Sequence, residues 1–186
     1  MSLKVHELFG GALSFQLPEN AKDISDIRQI PDNQEVFAHP ITDQSIIIEI
    51  LEYVGSDDEE AIKTHFNDLA SDNDVQSGDA AIVQIEKISD TDLKMTQCDS
   101  AYYILGQQNI SKFNEAAKNT VNMHIGLFRI SSFTSDILVT FNNPSFIDPQ
   151  SSSHHPVPVS ADPWTLEDFR QILTSLCIVD EGIFGQ

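Results

Sequence analysis

Apolar and polar residues alternate with a period of two along much of this chain. From Gly11 to Pro18, Leu13, Phe15 and Leu17 are interleaved with Ser14 and Gln16, which predicts a half-buried strand stopped by proline. The preceding Gly10-Gly11 pair predicts a tight turn, because no Lys-Ser or Lys-Thr follows to complete a phosphate loop. "EVFAHPI" opens a second strand behind a Pro31-Asp32 turn. Ser45 to Val54 forms a third, since isoleucines at 46, 47, 48 and 50 are stiff, β-branched and better suited to a pleated surface than to a helix. "AAIVQIEKI", "AYYILGQQNI", "NMHIGLFRI" and "DILVTFNNP" add four strand candidates separated by polar or turn-like segments, the pattern of an antiparallel sheet.

Two stretches change period. In "SDDEEAIKTHFNDLA", Ala61, Ile62, His65, Phe66 and Leu69 recur at helical spacing. Ser56 with Glu59 three residues later predicts a capping box, and the run Asp57 to Glu60 favours the positive end of a helix. Near the other end, Asp162 and Pro163 predict an N-cap and first turn, followed by Trp164, Phe169, Ile172, Leu173, Leu176 and Cys177 on one face. "CIVDEGIFG" then predicts an apolar tail that docks. The Pro- and Ser-rich text from Asn143 to Ala161 predicts a surface loop, mobile over 145–161. No internal repeat interrupts this order, and a single α+β domain over 1–186 is expected, a mostly antiparallel sheet with helices laid against it.

Leu, Ile, Val and Phe make up about 30% of the chain, enough for a globular core. Charge adds more to the picture. The 29 acids outnumber 10 bases, for a net charge of −19, so phosphate backbones and anionic lipid surfaces are repelled and neither nucleic acid nor direct membrane binding is expected. The acidity is uneven: residues 19–79 hold 16 Asp and Glu against Lys22, Arg28 and Lys63. Two distant cysteines, Cys98 and Cys177, fit neither a disulfide framework nor a zinc site and are expected to be reduced. The first residues contain no signal-peptide core and no run has membrane-spanning length, so an intracellular, soluble protein is expected.

Catalytic constellations are missing: there is no Gly-x-Ser-x-Gly, His-Glu-x-x-His, Cys-x-x-Cys or dinucleotide fingerprint. Carboxylate pairs abound in so acidic a chain and are weak signs of acid and base catalysis. His65 and His124 fall inside patterned elements, as satisfied core histidines do, and His154 and His155 fall in the loop. No cofactor, metal site or enzymatic activity is expected.

Specific strings carry the reading further. "LFGGA", "DISDIRQIPDNQEVF", "SIIIEILE", "FRISSFTSDILVTFNNP" and "SLCIVDEGIFG" together resemble the Mog family of Ran guanine nucleotide release factors, in order from Leu8 to Gly185. The resemblance implies a nuclear and cytoplasmic protein that binds the GTPase Ran and promotes GTP release; other Ran-binding proteins are further candidate partners, and the sequence leaves open whether one joins the complex. It also implies a fold similar to the photosystem PsbP proteins, a curved antiparallel sheet with helices on both faces. A second activity attributed to relatives is that of a trafficking adaptor for membrane proteins such as ion channels.

Carried onto this sequence, the resemblance places Ran-binding acids at Glu49 and Glu52, with Asp26, Asp32, Glu35 and Asp43 next. In a regular strand Glu49 and Glu52 face opposite sides, so a single patch containing both requires a bulge or the strand's end near Leu51.

Overall fold

The computed structural model describes residues 2–111 and 116–185. Its strands are β1 (Leu3–Leu8), β2 (Leu13–Pro18), β3 (Lys22–Asp23), β4 (Gln34–Ala38), β5 (Ser45–Glu52), β6 (Ala80–Ile88), β7 (Ser100–Ile110), β8 (Asn119–Ile130), β9 (Ser135–Phe146) and β10 (Cys177–Ile178). Its α-helices are α1 (Asp58–Asp72) and α2 (Leu166–Ser175). Seven strands form one sheet in the order β3-β4-β5-β9-β8-β7-β6, and β1-β2-β10 form a second. Every pairing is antiparallel.

The period-two alternation divides the large sheet between two cores. Phe37, Ile46, Ile48, Tyr103, Phe128, Ile137, Val139 and Phe141 face the small sheet and α2, where they meet Leu13, Phe15, Leu17, Phe169, Ile172 and Leu173. On the other face Ile104, Val121, Met123, Ile125, Leu127 and Leu138 pack against Ile62 and Phe66 of α1. Two glycines permit this close approach. A Cβ at Gly106 would overlap Phe66 Cε2, and one at Gly126 would overlap Leu173 Cδ2, so each helix seats into a gap left by a missing side chain.

The seven long strand predictions and both helices are present, whereas β1, β3 and β10 were not predicted. The register of β1 puts it at an edge, and its apolar Val5 is exposed, which removes the alternation that marks a half-buried strand. Both helix starts are shifted from expectation. Asp57, not Ser56, caps α1, accepting a 2.9 Å bond from the Glu60 N–H; the Ser56 carbonyl is engaged by Arg129 instead. Thr165, not Asp162, caps α2, in a reciprocal capping box with Asp168. The intervening Trp164 is tied at its backbone N–H and C=O to the side chain of Gln44 (2.8 and 2.9 Å), which holds it outside the helix.

The tail docks as expected: β10 pairs with β2, and Phe184 stacks on Phe133 at 4.7 Å. Within the Pro- and Ser-rich stretch, β9 continues to Phe146, and Ser151 and Ser153 are buried. Among the described residues no helix is long and apolar enough to cross a membrane.

Candidate functional site

The β4–β5 hairpin sets the geometry of the acidic region. His39 closes its turn: its N–H donates to the Gln44 carbonyl at 2.9 Å, and its Nδ1 accepts from the Ile41 and Thr42 N–H groups. Once Ala38 stands opposite Ser45, antiparallel pairing puts Gln34 opposite Glu49. The pairing runs on to Asn33, whose carbonyl accepts from the Ile50 N–H at 2.9 Å and whose amide donates to the Ile50 carbonyl at 3.2 Å. The Pro31-Asp32 turn is thereby brought beside the Leu51-Glu52 end of β5.

Glu49 is a buried carboxylate, 7% exposed. Its Oε1 accepts from Gln34 Nε2 at 2.5 Å. Burial pushes its carboxyl pKa up; Gln34 and His65 oppose that shift, and Asp72 reinforces it. No lysine, arginine or histidine among the described residues comes within ion-pair distance of it. Glu49 lines a cavity of about 120 Å³ with Gln34, Ile47, Asp72, Thr140 and Asn142, between the sheet and the last turn of α1. Thr140 Oγ1 is buried there without a hydrogen-bond partner among the described residues. A larger cavity of about 310 Å³ shares Asn73 and Asn142 with this one and extends to Asp43, Ser45, Asn119 and Ser153. The carboxylates and the negative end of the α1 dipole suit a cation that brings hydrogen-bond donors, such as an ammonium or guanidinium group. Among the described residues no three His, Cys, Asp or Glu are grouped to hold a metal.

The register across β5 is unbroken from Ser45 to Glu52, so the bulge required for a common patch is absent. Glu49 faces α1, and the exposed Glu52 is on the opposite parity of the strand, at its end. Asp32 is exposed beside that end, and Asp26 is exposed in the turn that follows β3. Glu35 has a different surrounding: it is half-buried and accepts from the Phe9 N–H, in the turn where Phe9, Gly10 and Gly11 all have positive φ. Burial raises its pKa, the Phe9 bond opposes this, and the nearby Asp23 adds to the rise. Asp43 stands at the start of β5, 3.9 Å from His155 Nδ1. The intervening strand, Ser45–Glu52, extends about 23 Å, so Asp43 and Glu52 mark the two ends of an interface-sized surface rather than one pocket.

A second buried charge fixes the approach to α1. Arg129, 1% exposed, donates to Asp58 Oδ1 (2.8 Å), to the carbonyls of Ser56 (3.0 Å) and Val54, and to Asp136 Oδ1 (3.4 Å), and its guanidinium lies over the Tyr53 ring. Asp136 Oδ2 meets His65 Nε2 at 2.8 Å, and His124 Nδ1 meets the Tyr103 hydroxyl at 2.8 Å. Both histidines are satisfied core residues, as their positions in the pattern suggested.

Thr140, Asp72 and Gln34 were not among the predicted site residues. Thr140 carries a faint sequence signal: in "DILVTF" it follows Leu138 on the face toward α1, a polar residue in an apolar row. Asp72 gives no such signal, since its place beside Glu49 depends on where α1 ends above the sheet.

Residues 6–144 match the family model described as Ran-interacting Mog1 protein. The chain is 52% identical over 180 residues to a Ran guanine nucleotide release factor of Danio rerio, covering 96% of this chain and 98% of that protein. It is 41% identical over 181 residues to the Homo sapiens protein of the same name, covering 96% and 95%. The nuclear import protein MOG1 of Saccharomyces cerevisiae is 27% identical over 157 residues, covering 77% of this chain and 67% of that one. The crystal structure of the Saccharomyces cerevisiae Ran-binding protein Mog1p superposes with a TM-score of 0.69 at 22% identity, covering 99% of each chain, and so shares the fold.

Proposed function

Because this chain belongs to the Ran-interacting Mog1 family, we propose that it binds the small GTPase Ran through the acidic β4–β5 surface. It promotes release of the bound guanine nucleotide, GTP, in support of nucleocytoplasmic transport. The observation that carries this reading is the match, over nearly the whole chain, to relatives named Ran guanine nucleotide release factor. The protein acts on a GTPase as a non-catalytic regulator, without a cofactor, in the nucleus and cytoplasm; relatives named nuclear import proteins support that setting. Among the described residues no feature favours the trafficking-adaptor reading.

Glu49 is the central contact, with its cavity open to one cationic side chain of Ran. Glu52 and Asp32 form the exposed rim, and Asp26 and Asp43 extend it. Glu35 contributes chiefly by holding the Phe9 turn against β4. A GTPase retains its nucleotide with a phosphate-loop lysine and Mg²⁺, and carboxylates docked nearby compete with phosphate for those cations. Reciprocity then requires that nucleotide-free Ran bind more tightly than the GTP form by the factor with which GTP is weakened. A factor of 100 corresponds to about 2.7 kcal/mol, within the range of a few desolvated charge pairs.

The test is a mixing experiment with Ran loaded with fluorescent GTP or fluorescent GDP. The protein should accelerate loss of the GTP signal, and a Glu49→Gln, Glu52→Gln variant should not. Glutamine is preferred to lysine at 49, because a lysine there would place a charge of opposite sign in a site too buried to keep the fold intact. Release by the double variant at the wild-type rate would exclude this surface.

A further inference from the structure

We propose that Ile27 is the apolar anchor of the docking surface, inserting into an apolar recess of a partner whose rim is basic. The assignment rests on the Ran-binding reading above. Ile27 is 77% exposed, more than any other large apolar side chain among the described residues. It is also held firmly. The Ile24 N–H donates to the Val36 carbonyl (2.9 Å), the N–H groups of Ile27 and Arg28 both donate to the Ile24 carbonyl (2.9 and 3.1 Å), and the Ser25 N–H and hydroxyl both donate to Asp23 Oδ1 (2.8 and 2.7 Å). These bonds close the turn and fasten it to β4, so the backbone that carries the side chain is already ordered and little backbone entropy is lost on binding.

Its surroundings have the composition of an interface centre. The half-buried Ile30 and the exposed Pro31 line an open depression of about 430 Å³ with Gln29 and Asp32. Asp23, Asp26 and Asp32 flank this stretch in the chain and outnumber its single base, the exposed Arg28. An apolar centre with a charged rim is the usual anatomy of a specific protein interface, in which a few central residues carry most of the affinity. The rim also selects the occupant. A second copy of this chain brings the same net charge of −19, and an anionic lipid surface brings the same sign, so both are repelled; a basic protein surface is attracted. Ile27 is joined to the Pro31-Asp32 turn by three residues, Arg28 to Ile30, and that turn adjoins the Glu52 end of β5, so the anchor belongs with the exposed acids Asp26, Asp32 and Glu52 rather than with the buried Glu49.

The anchor and the acids are separable by kinetics. Burial of an apolar group acts after encounter and governs dissociation, whereas exposed charges act before encounter and are screened by salt. The experiment measures association and dissociation of the full-length protein with GTP-loaded Ran at several salt concentrations, for wild type, Ile27→Ala, Ile27→Leu and Glu52→Gln. Ile27→Ala is expected to dissociate about 10-fold faster with an unchanged association rate and salt dependence; Ile27→Leu is expected to behave as wild type. Glu52→Gln is expected to slow association and flatten its salt dependence. Wild-type dissociation from Ile27→Ala, while the wild-type chain binds Ran, would overturn the anchor and leave the underlying reading in place. Failure of the wild-type chain to bind Ran would overturn that reading itself. Self-association of the wild-type chain by sedimentation, abolished in Ile27→Ala, would overturn the assigned occupant. Thermal melts of all variants are expected to coincide, because the side chain is exposed.

Discussion

Replacing Glu49 with glutamine keeps the shape of the side chain and removes one buried charge. The glutamine carbonyl can still accept the Gln34 bond that Glu49 accepts at 2.5 Å, so the change isolates charge from packing. Because burial raises the Glu49 pKa above its ordinary 4.5, the native state binds more protons than the unfolded state between the two values, and stability falls as pH rises through that window. The penalty is fully present above the folded pKa and disappears below the unfolded one. Each unit of displacement corresponds to about 1.4 kcal/mol, and single stabilising substitutions commonly yield about 0.5–2 kcal/mol. For a chain of this size that raises Tm by about 2–4 °C per kcal/mol. Ran binding should move the other way. Loss of one partner of a desolvated charge pair costs about 2–5 kcal/mol, a weakening of about 30-fold or more. Urea denaturation of both proteins at neutral pH and again in acid measures the first effect, and titration of Ran by calorimetry measures the second. The variant should be more stable at neutral pH, and the difference should close in acid. A variant less stable than wild type at neutral pH, or one with undiminished affinity, would refute the reasoning.

Three further outcomes follow from the same geometry. Arg129→Leu should lower unfolding free energy by about 3–5 kcal/mol in urea titrations, because it leaves Asp136, 0% exposed, without its cation. Gly106→Ala should cost about 1–3 kcal/mol by displacing Phe66, with a matching loss of amide protection in α1. Thr165→Ala should cost about 1 kcal/mol by removing the α2 capping box, read as a lower urea midpoint at unchanged slope.

Period and composition made the large sheet legible. The Ile-rich stretch was read as a strand, and β5 occupies Ser45–Glu52. The two caps were misplaced for a tertiary reason: Ser56 and Trp164 make backbone bonds to Arg129 and Gln44, partners that local sequence cannot name. The acidic surface was legible as a concentration of charge in residues 19–79, and strand parity already warned that Glu49 and Glu52 would separate. What parity could not supply was burial. Glu49 lies in a row with Ile47 and Leu51, and the end of α1, Leu69 to Asp72, encloses it together with Gln34, Thr140 and Asn142 from the neighbouring strands. The role of Glu35 was hidden for a similar reason, since Phe9, whose N–H it accepts, is 26 residues away.

The Arg129 network has a consequence for biosynthesis. The acids from Asp26 to Asp58 emerge from the ribosome early, yet the cation that fixes the Val54–Asp58 connection emerges more than seventy residues later, on β8, and Asp136 follows on β9. A partly synthesised chain therefore carries the negative charge of the proposed docking face without the Arg129 contacts that fix its neighbouring connection. On the proposed binding reading, competence to bind requires the late strands that close the sheet.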